Sequence, residues 1–228
     1  MNSRSVLLRI SFLVVLLCAV TNVTAYAQVA AGPAVTPASR KTSTPYTGDL
    51  SHFDYPDRDQ KLQVNRVMDL LGLKPGTNVA DIGAGGGWFT MRAAARVAPS
   101  GTVFAEDINR EAIEYIRNRA QREHLGNVQE VLGKPDDPSL PAGSIDAALL
   151  LKSYHEVAQP VTLLRNLKKA LRSDGRVGII DRNGNGADHG VDKDVVIKEA
   201  GEAGYKLVGS YDFVKPDQVD YFLVFQPE

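Results

Sequence analysis

Short apolar runs alternate with amphipathic segments along residues 57–228. The apolar runs, each next to turn residues, are typical of buried strands: TNVADI, GTVFAEDI, NVQEVLG, SIDAALLLK and GRVGIID. Apolar residues at helical spacing occur in residues 57–71 and in GWFTMRAAARVA, NREAIEYIRNRAQREHL, PVTLLRNLKKALR and DVVIKEAGEAG. Strands that alternate with helices predict parallel βαβ units, and therefore an α/β fold with a three-layer, doubly wound sheet. The final runs, YKLVGSYDFV and QVDYFLVFQ, follow each other directly and predict an antiparallel C-terminal hairpin.

The first 27 residues show the order of a secretory signal peptide. Arg4 and Arg9 precede an apolar run over residues 10–20, and Ala25 and Ala27 frame a small-residue cleavage site. The run is shorter than the roughly 20 residues that span a bilayer, which favours cleavage after Ala27 over an uncleaved membrane anchor. We therefore predict an exported protein, periplasmic or secreted, without stable membrane insertion after cleavage.

Composition limits the rest of the chain to one domain and few classes of partner. Residues 28–47 are mostly small and polar residues with proline and predict a flexible linker, which leaves residues 48–228 as a single domain. Cys18, the only cysteine, lies in the predicted signal peptide, which excludes disulfides and thiolate metal sites from the domain. The net charge of −1 gives no electrostatic case for nucleic acid. The oligomeric state stays open.

The stretch VADIGAGGGWFT, at residues 79–90, concentrates glycine between a strand and a helix. In a doubly wound sheet, ligands bind outside the carboxyl ends of the strands, where the topology reverses. Gly83 permits a tight turn there, and Gly85 and Gly87 let backbone amides approach a ligand. A dinucleotide fingerprint would need glycine where Trp88 stands, which weakens the case for a nicotinamide-dependent oxidoreductase.

The acid-x-G-x-G-x-G pattern that starts at Asp81 resembles the first motif of the class I S-adenosylmethionine-dependent methyltransferases. The resemblance covers the chain from about residue 55 to its end and is greatest to the small-molecule, ubiquinone-biosynthesis-like branch. It implies a Rossmann-like fold, S-adenosylmethionine as cofactor, and cofactor contacts from Gly83, Ala84, Gly85 and Gly87. It also implies that Asp81 contacts the methionyl amine, and the alternative is a buried acid that only satisfies loop amides.

The resemblance assigns further cofactor contacts after the second and third strands. In the family a carboxylate like Asp107 accepts both ribose hydroxyls, and an apolar residue like Ile108 packs on adenine. Glu106 is expected to point to the opposite side and to be structural. In GKPDDPSLP, which matches the loop that holds the adenine amino group, Asp136 is preferred over Asp137 as the contact. Ordinary turn chemistry is the alternative for these acids.

The methyl acceptor is expected at the end of the fourth strand, in LLLKSYHEVAQP. Lys152, Tyr154, His155 and Glu156 are predicted to face the methyl group. Methyl transfer from a sulfonium needs alignment of acceptor and methyl donor, and it needs a base only where the acceptor must lose a proton. His155 is the candidate catalytic base, since imidazole titrates near neutrality, and a structural loop histidine is the alternative.

Two further stretches bear on the surroundings of the acceptor. A metal-dependent catechol-type mechanism needs carboxylates at the ends of the fourth and fifth strands. Asp181 stands at the end of the fifth strand, but Lys152 stands at the end of the fourth, so the set is incomplete and no metal is expected. Before the first helix, Phe53, Tyr55 and Arg58 form a candidate lid over the site. Packing of these side chains against the sheet edge is the alternative.

Two hypotheses for the function follow from these features. The first is an exported enzyme that transfers a methyl group from S-adenosylmethionine to a small molecule, whose identity the sequence leaves open. The second is an exported protein that binds adenosyl compounds without transfer, because the predicted signal peptide directs the chain away from the cytoplasm, where the methyl donor is made. Adenosyl binding fits both hypotheses, and only methyl transfer separates them.

Overall fold

The computed structural model of this chain describes residues 40–215 and 219–228. The predicted signal peptide, residues 1–27, and residues 28–39 of the predicted linker lie outside the described residues. The strands are β1 (Val79–Ile82), β2 (Val103–Asp107), β3 (Val128–Leu132), β4 (Ile145–Leu151), β5 (Leu171–Arg182), β6 (Tyr205–Tyr211) and β7 (Asp220–Pro227). The α-helices are α1 (Arg58–Leu62), α2 (Val64–Leu71), α3 (Trp88–Val97), α4 (Arg110–Arg122), α5 (Pro160–Ala170) and α6 (Lys193–Glu202). Short 3-10 helices span Leu50–Phe53 and Tyr154–Glu156.

The strands form one sheet in the order β3-β2-β1-β4-β5-β7-β6. Strands β1 to β5 are parallel, whereas β7 runs antiparallel between β5 and β6. Strand β1 pairs with β2 on one side and with β4 on the other, so the topology reverses at the end of β1. The predicted doubly wound α/β fold with an antiparallel C-terminal pair is thereby confirmed.

Local sequence signals explain where several helices begin and end. The Asn109 side chain accepts a hydrogen bond from the backbone N–H of Glu111 over 2.9 Å and caps α4. Helix α5 begins at Pro160. Proline has no backbone N–H, and this costs nothing in the first turn, where N–H groups make no bonds within the helix. Helix α2 ends at Gly72, whose φ of +79° lies in the left-handed region that favours glycine.

Helices cover both faces of the sheet and bury its central strand. In β4, Ala148 and Leu150 pack in a cluster that includes α5 and α6, whereas Ala147 and Leu149 pack in a cluster that includes α2 and α3. This alternation follows from the period of two along a strand. The near-continuous apolar run of β4 is therefore explained by burial on both faces, and the expected three layers are present.

The helix predicted over residues 57–71 is broken in the structure. Gln63 has a φ of +47° and separates α1 from α2, although apolar residues continue across the break. Its backbone N–H still donates to a carbonyl of α1, that of Gln60, over 3.2 Å. Hydrophobic spacing predicts which face is buried, and it carries no signal for a single residue in the left-handed region.

Within the predicted flexible linker, Arg40 and Ser43 are hydrogen-bonded to the domain, whereas residues 44–47 are exposed. The Arg40 guanidinium donates hydrogen bonds to the carbonyls of Tyr154 (2.6 Å) and Val157 (3.0 Å). Ser43 is 5 % exposed and donates to the carbonyl of Gly186. No helix among the described residues is long and apolar enough to cross a membrane.

Candidate functional site

A cavity of about 900 Å³ opens at the carboxyl ends of β1, β2 and β4. This volume is within the range of about 300–1,000 Å³ that is usual for small-molecule sites. The lining comes from the loop after β1, the end of β2, the residues after β4 and the N-terminal segment. It includes residues 81–86, 106–109, 150–153 and 156–158, together with Thr42, Pro45, Tyr46, Thr47, Leu50, Phe53, Arg58, Lys134 and Pro135.

Alternate glycines of the loop after β1 have left-handed backbone conformations. The φ angles are +69° at Gly83, +53° at Gly85 and +73° at Gly87. A Cβ added at Gly83 would lie 2.6 Å from Ser153 Cβ, and one at Gly85 would enter open space with Phe53 4.0 Å away. Gly83, Ala84 and Gly85 line the cavity, whereas Gly87 is the N-cap of α3 and does not.

One end of the cavity combines a buried acid with a buried cation. Asp81 is 2 % exposed, and its Oδ2 accepts a 2.6 Å hydrogen bond from Thr90 Oγ1. Burial raises the pKa of Asp81 to about 6, and the nearby positive charge of Arg58 opposes this rise. The Arg58 guanidinium lies 4.2 Å from the centre of the Trp88 ring and also lines the cavity. A ligand that carries both an ammonium and a carboxylate group fits this charge arrangement.

The end of β2 supplies a carboxylate and an exposed apolar side chain. Asp107 Oδ2 accepts the Gly85 N–H over 2.8 Å, and its Oδ1 accepts the Asn109 N–H over 2.8 Å. Because a carboxylate oxygen has two lone pairs, both oxygens can still accept a bond from a ligand hydroxyl. Ile108 is 49 % exposed beside it and lines the same cavity.

Glu106 has the structural contact that was predicted, but its position at the cavity was not predicted. It is 3 % exposed and accepts the Gly83 N–H over 3.3 Å, which agrees with a structural role, but it also lines the cavity. Burial raises the pKa of Glu106 to about 8, and the neighbouring carboxylates of Asp107 and Asp81 raise it further. Burial therefore favours the protonated form of the carboxyl group that contacts the glycine loop.

The structure does not place Asp136 at the cavity. Its backbone carbonyl accepts a hydrogen bond from Asn166 Nδ2 over 2.8 Å, and the residues of this loop that line the cavity are Lys134 and Pro135. Asp137 is used locally, since its Oδ1 accepts the Ser139 N–H over 2.8 Å. Asp137 therefore has the turn chemistry that was the alternative, whereas the adenine contact of Asp136 stays a prediction that the cavity lining does not support.

The four residues predicted to face the methyl group fall into two pairs. Lys152 and Glu156 line the cavity, and Lys152 Nζ lies 2.7 Å from Asp220 Oδ1. Tyr154 is fully buried, and its hydroxyl donates to Glu199 Oε2 over 2.7 Å. His155 is 4 % exposed and is not among the lining residues. The predicted orientation is therefore wrong for Tyr154 and His155.

His155 is held by Asp181 from the end of β5. Its Nδ1 lies 2.9 Å from Asp181 Oδ1, and its backbone N–H donates to Asp181 Oδ2 over 3.0 Å. The Asp181 carboxylate thus accepts from Nδ1 and leaves Nε2 on the opposite side of the ring. Nε2 lies 3.9 Å from Oε1 of Glu156, which borders the cavity.

The N-terminal segment covers the cavity with residues outside the glycine motif. Phe53 and Arg58 line it, as expected for a lid, whereas Tyr55 does not. Thr42 and Tyr46 line it as well, although the sequence placed them in a linker. No local pattern identifies these two residues, because their position depends on contacts with segments far away in the chain.

Comparison with known proteins agrees with this geometry. A family model described as a methyltransferase domain matches residues 73–202, which is more than half of the chain. The chain belongs to this methyltransferase family. The predicted membership of the class I S-adenosylmethionine-dependent methyltransferases is thereby confirmed.

Related sequences and solved structures of other proteins resemble this domain. Nocamycin O-methyltransferase of Saccharothrix syringae is 34 % identical over 114 residues, which are 50 % of this chain and 41 % of that protein. The ubiquinone/menaquinone biosynthesis C-methyltransferase UbiE of Ectopseudomonas mendocina is 29 % identical over 116 residues, which are 50 % and 45 % of the two chains. The chain thus spans less than half the length of these relatives. A crystal structure of a SAM dependent methyltransferase from Aquifex aeolicus, 21 % identical, has the same fold, with a TM-score of 0.72 over 80 % of this chain and 100 % of that one.

The matched range divides the methyltransferase cavity into two parts. Asp81, the glycine loop and Asp107 lie inside residues 73–202, whereas Tyr46, Phe53 and Arg58 lie before it. The first part contains the residues that the sequence motif predicts. The second part comes from a segment that the family model does not describe.

Proposed function

We propose that this methyltransferase transfers a methyl group from S-adenosylmethionine to a small-molecule acceptor. One observation carries the proposal: the two ends of a single cavity match the two ends of this methyl donor. Asp81 and Arg58 form a charged end that fits an amino acid, and Asp107 with Ile108 forms an end that fits a nucleoside.

The charged end is suited to the methionyl group. A free α-amino acid carries an ammonium and a carboxylate, which pair with Asp81 and Arg58 respectively. The backbone N–H groups of the loop after β1 are close by, because the glycines leave the cavity free of side chains at this point. The burial of Asp81 strengthens an ion pair with the ligand, since little water competes for the carboxylate.

The nucleoside end is suited to adenosine. Both Asp107 oxygens are fixed by backbone N–H groups and retain lone pairs that ribose hydroxyls can use. The exposed side of Ile108 gives an apolar surface on which a base can pack. These two contacts come from consecutive residues at the end of β2, so the ribose and the base are held by one rigid element.

The protein's contribution to the reaction is alignment. Bound S-adenosylmethionine would supply a methyl group on a positively charged sulfur, and the residues around the cavity would hold an acceptor atom in line with the sulfur–carbon bond, so that the thioether could leave. Holding the two reactants in line can lower the barrier by about 7–11 kcal/mol. The remaining cavity beside Glu156, Lys152 and Tyr46 offers space for the acceptor.

The relatives suggest which acceptors to try first. One is named for O-methylation of nocamycin and another for C-methylation in ubiquinone and menaquinone biosynthesis. A panel of hydroxylated aromatic and quinol compounds therefore covers both an oxygen and a ring carbon as the methylated atom. Formation of the demethylated cofactor, detected by mass spectrometry, reports transfer to any of them.

Calorimetric titration of the purified chain tests the cofactor part of the proposal, and the acceptor panel tests transfer. S-adenosylmethionine and its demethylated product are expected to bind at micromolar concentrations, and NAD is expected not to bind. Asp107→Ala is expected to weaken adenosyl binding by about ten- to a hundredfold, which corresponds to one charge-assisted hydrogen bond. Asp174→Ala, an exposed acid at the other end of the sheet, serves as the control. Absence of adenosyl binding, or NAD binding of equal strength, overturns the proposal.

We also propose that the protein is exported, on the order of charge, apolar run and small residues in residues 1–27. Cleavage after Ala27 would give a mature chain that begins at Gln28. Mass spectrometry of the protein from its native host identifies the N-terminal peptide. A chain that begins at residue 1 or 2 contradicts cleavage.

A further inference from the structure

Three side chains with metal-binding atoms meet beside the acceptor part of the cavity. His155 and Glu156 follow β4, and His189 belongs to the loop after β5. One ligand atom from each residue lies within 4.8 Å of the others. The sequence did not suggest this group, because His189 is 33 residues further along the chain than Glu156.

His155 is oriented as a metal ligand would be. Its Nδ1 is held by Asp181, which is fully buried, and its Nε2 lies on the side of Glu156. Histidine ligands of metal ions usually donate their other ring N–H to a carboxylate or a carbonyl, which fixes the tautomer and the ring plane. Asp181 therefore orients His155 whether or not it contacts substrate.

His189 is brought to the same place by the N-terminal segment. Its backbone N–H donates to Ser43 Oγ over 2.8 Å, and Ser43 Oγ in turn donates to the carbonyl of Gly186 over 3.1 Å. The His189 ring centre lies 5.7 Å from that of His155, with the ring planes 86° apart. Ser43 thus bridges Gly186 and His189 within the loop after β5.

The ligand set indicates the class of metal. Two imidazole nitrogens and one carboxylate oxygen suit Zn²⁺ and similar divalent ions better than Mg²⁺ or Ca²⁺. A tetrahedral ion with bonds of about 2.0–2.1 Å needs ligand atoms roughly 3.4 Å apart. His155 Nε2 and Glu156 Oε1 are 3.9 Å apart. The ligand atom of His189 lies within 4.8 Å of those of both residues, and because its ring is exposed, a rotation of the side chain can bring it closer.

We propose that His155, Glu156 and His189 bind a Zn²⁺-class ion whose fourth coordination position opens into the cavity that Glu156 lines. Three protein ligands with one open position are the arrangement of catalytic rather than structural zinc sites. This proposal replaces the expectation that no metal is bound, which considered only the ends of β4 and β5.

The role of the ion rests on the proposed function. An acceptor hydroxyl that binds the open position loses its proton to water more readily, because the ion stabilises the negative oxygen. The oxygen then forms a bond to the methyl carbon, the carbon–sulfur bond breaks, and its electron pair stays on sulfur as a neutral thioether. The substrate class is accordingly a small molecule with an acidic hydroxyl group.

Metal binding is tested without any methyl donor. The purified chain is stripped with a chelator and titrated with Zn²⁺ by calorimetry and with Co²⁺ by visible absorption. We expect one ion per chain and the strong visible bands of four-coordinate Co²⁺. His189→Ala and Glu156→Gln are each expected to weaken Zn²⁺ binding by more than about 100-fold. Loss of a group that only orients a ligand, such as Asp181, costs about 10- to 100-fold.

The chain offers a matched control among its four histidines. His124→Ala, outside the cavity lining, is expected to leave Zn²⁺ affinity unchanged. His189 is exposed, so its replacement is compatible with folding, which thermal unfolding of the variant checks. Absence of Zn²⁺ binding, or equal affinity of His189→Ala and the wild type, overturns the proposed site.

The two proposals fail in different ways. S-adenosylmethionine binding without Zn²⁺ binding overturns the metal site and leaves the methyltransferase assignment intact. Zn²⁺ binding without S-adenosylmethionine binding does the reverse. Full transfer activity of the metal-free chain contradicts the proposed role of the ion and favours His155 with Asp181 as the general base.

Discussion

Asp81→Asn is expected to stabilise the fold while it weakens binding of the methyl donor. Burial raises the pKa of Asp81 from its ordinary value of 3.8 to about 6. At about 1.4 kcal/mol per pKa unit, the ionised carboxylate destabilises the folded state by about 3 kcal/mol. The neutral amide removes this penalty, and its oxygen can still accept the hydrogen bond that Thr90 Oγ1 now donates to Asp81.

The stabilisation of this variant should depend on pH with a defined sign. From about pH 4 to about pH 6, folded Asp81 keeps a proton that the unfolded chain has lost. The free energy of unfolding of the wild type therefore falls as the pH rises through this window, and Asp81→Asn lacks this contribution. Urea denaturation at several pH values measures the difference, which should be near zero at about pH 4 and about 3 kcal/mol above about pH 7.

An exposed carboxylate serves as the control that separates the effect of burial on stability from the effect of removing one negative charge. Asp174 is exposed, so Asp174→Asn removes the same charge and should change stability by less than about 0.5 kcal/mol. The reasoning is refuted if Asp81→Asn is less stable than the wild type at pH 8, or if its gain is the same at pH 4 and pH 8. Calorimetry measures the effect of Asp81→Asn on binding. Because the variant lacks the carboxylate that would pair with the ammonium group of S-adenosylmethionine, binding should weaken by about ten- to a hundredfold.

Three further predictions concern the same cavity. Glu106→Gln should raise the free energy of unfolding above about pH 8 by several kcal/mol in urea titrations, because burial raises the pKa of Glu106 to about 8, and equal stability at high pH contradicts this. Gly83→Ala should be less stable than Gly72→Ala by about 1–3 kcal/mol, since both have positive φ but only the first new Cβ meets Ser153; equal denaturation midpoints refute the clash. Arg58→Leu should weaken S-adenosylmethionine binding by about tenfold or more and leave methylthioadenosine binding unchanged in calorimetry, and equal losses for both ligands contradict a carboxylate contact.

The part of the cavity that we propose for the methyl donor could be predicted from the sequence, because it depends on local signals. The glycines after β1 have the left-handed conformations that their spacing suggests, and Asp107 ends the neighbouring strand at the same edge of the sheet. Parallel strands bring their carboxyl ends together whatever the loops do. Two short stretches about twenty residues apart were therefore enough to locate this region, and Asp81 and Asp107 both line the cavity.

The acceptor part was not accessible, and Lys152 shows why. It has a φ of +58°, so the chain turns sharply just after β4, and the side chains of Tyr154 and His155 pack inward instead of into the cavity. A lysine gives no signal for this conformation, which glycine or asparagine would have suggested. The partners of the two residues, Glu199 and Asp181, come from α6 and β5 and could not be paired with them from spacing.

The segment over residues 40–58 connects the two parts of the site and explains how one fold can serve different acceptors. It lies outside the range that the family model matches, yet it lines the cavity with Tyr46 and Phe53 and ties the loop of His189 through Ser43. The residues that fit the methyl donor are mostly anchored in the sheet and depend little on this segment, with Arg58 as the exception. A change in residues 42–53 can therefore alter the space and the ligands offered to the acceptor while the glycine loop and Asp107 stay in place. If the proposed function holds, we therefore expect changes in residues 42–53 to alter acceptor choice more than binding of the methyl donor.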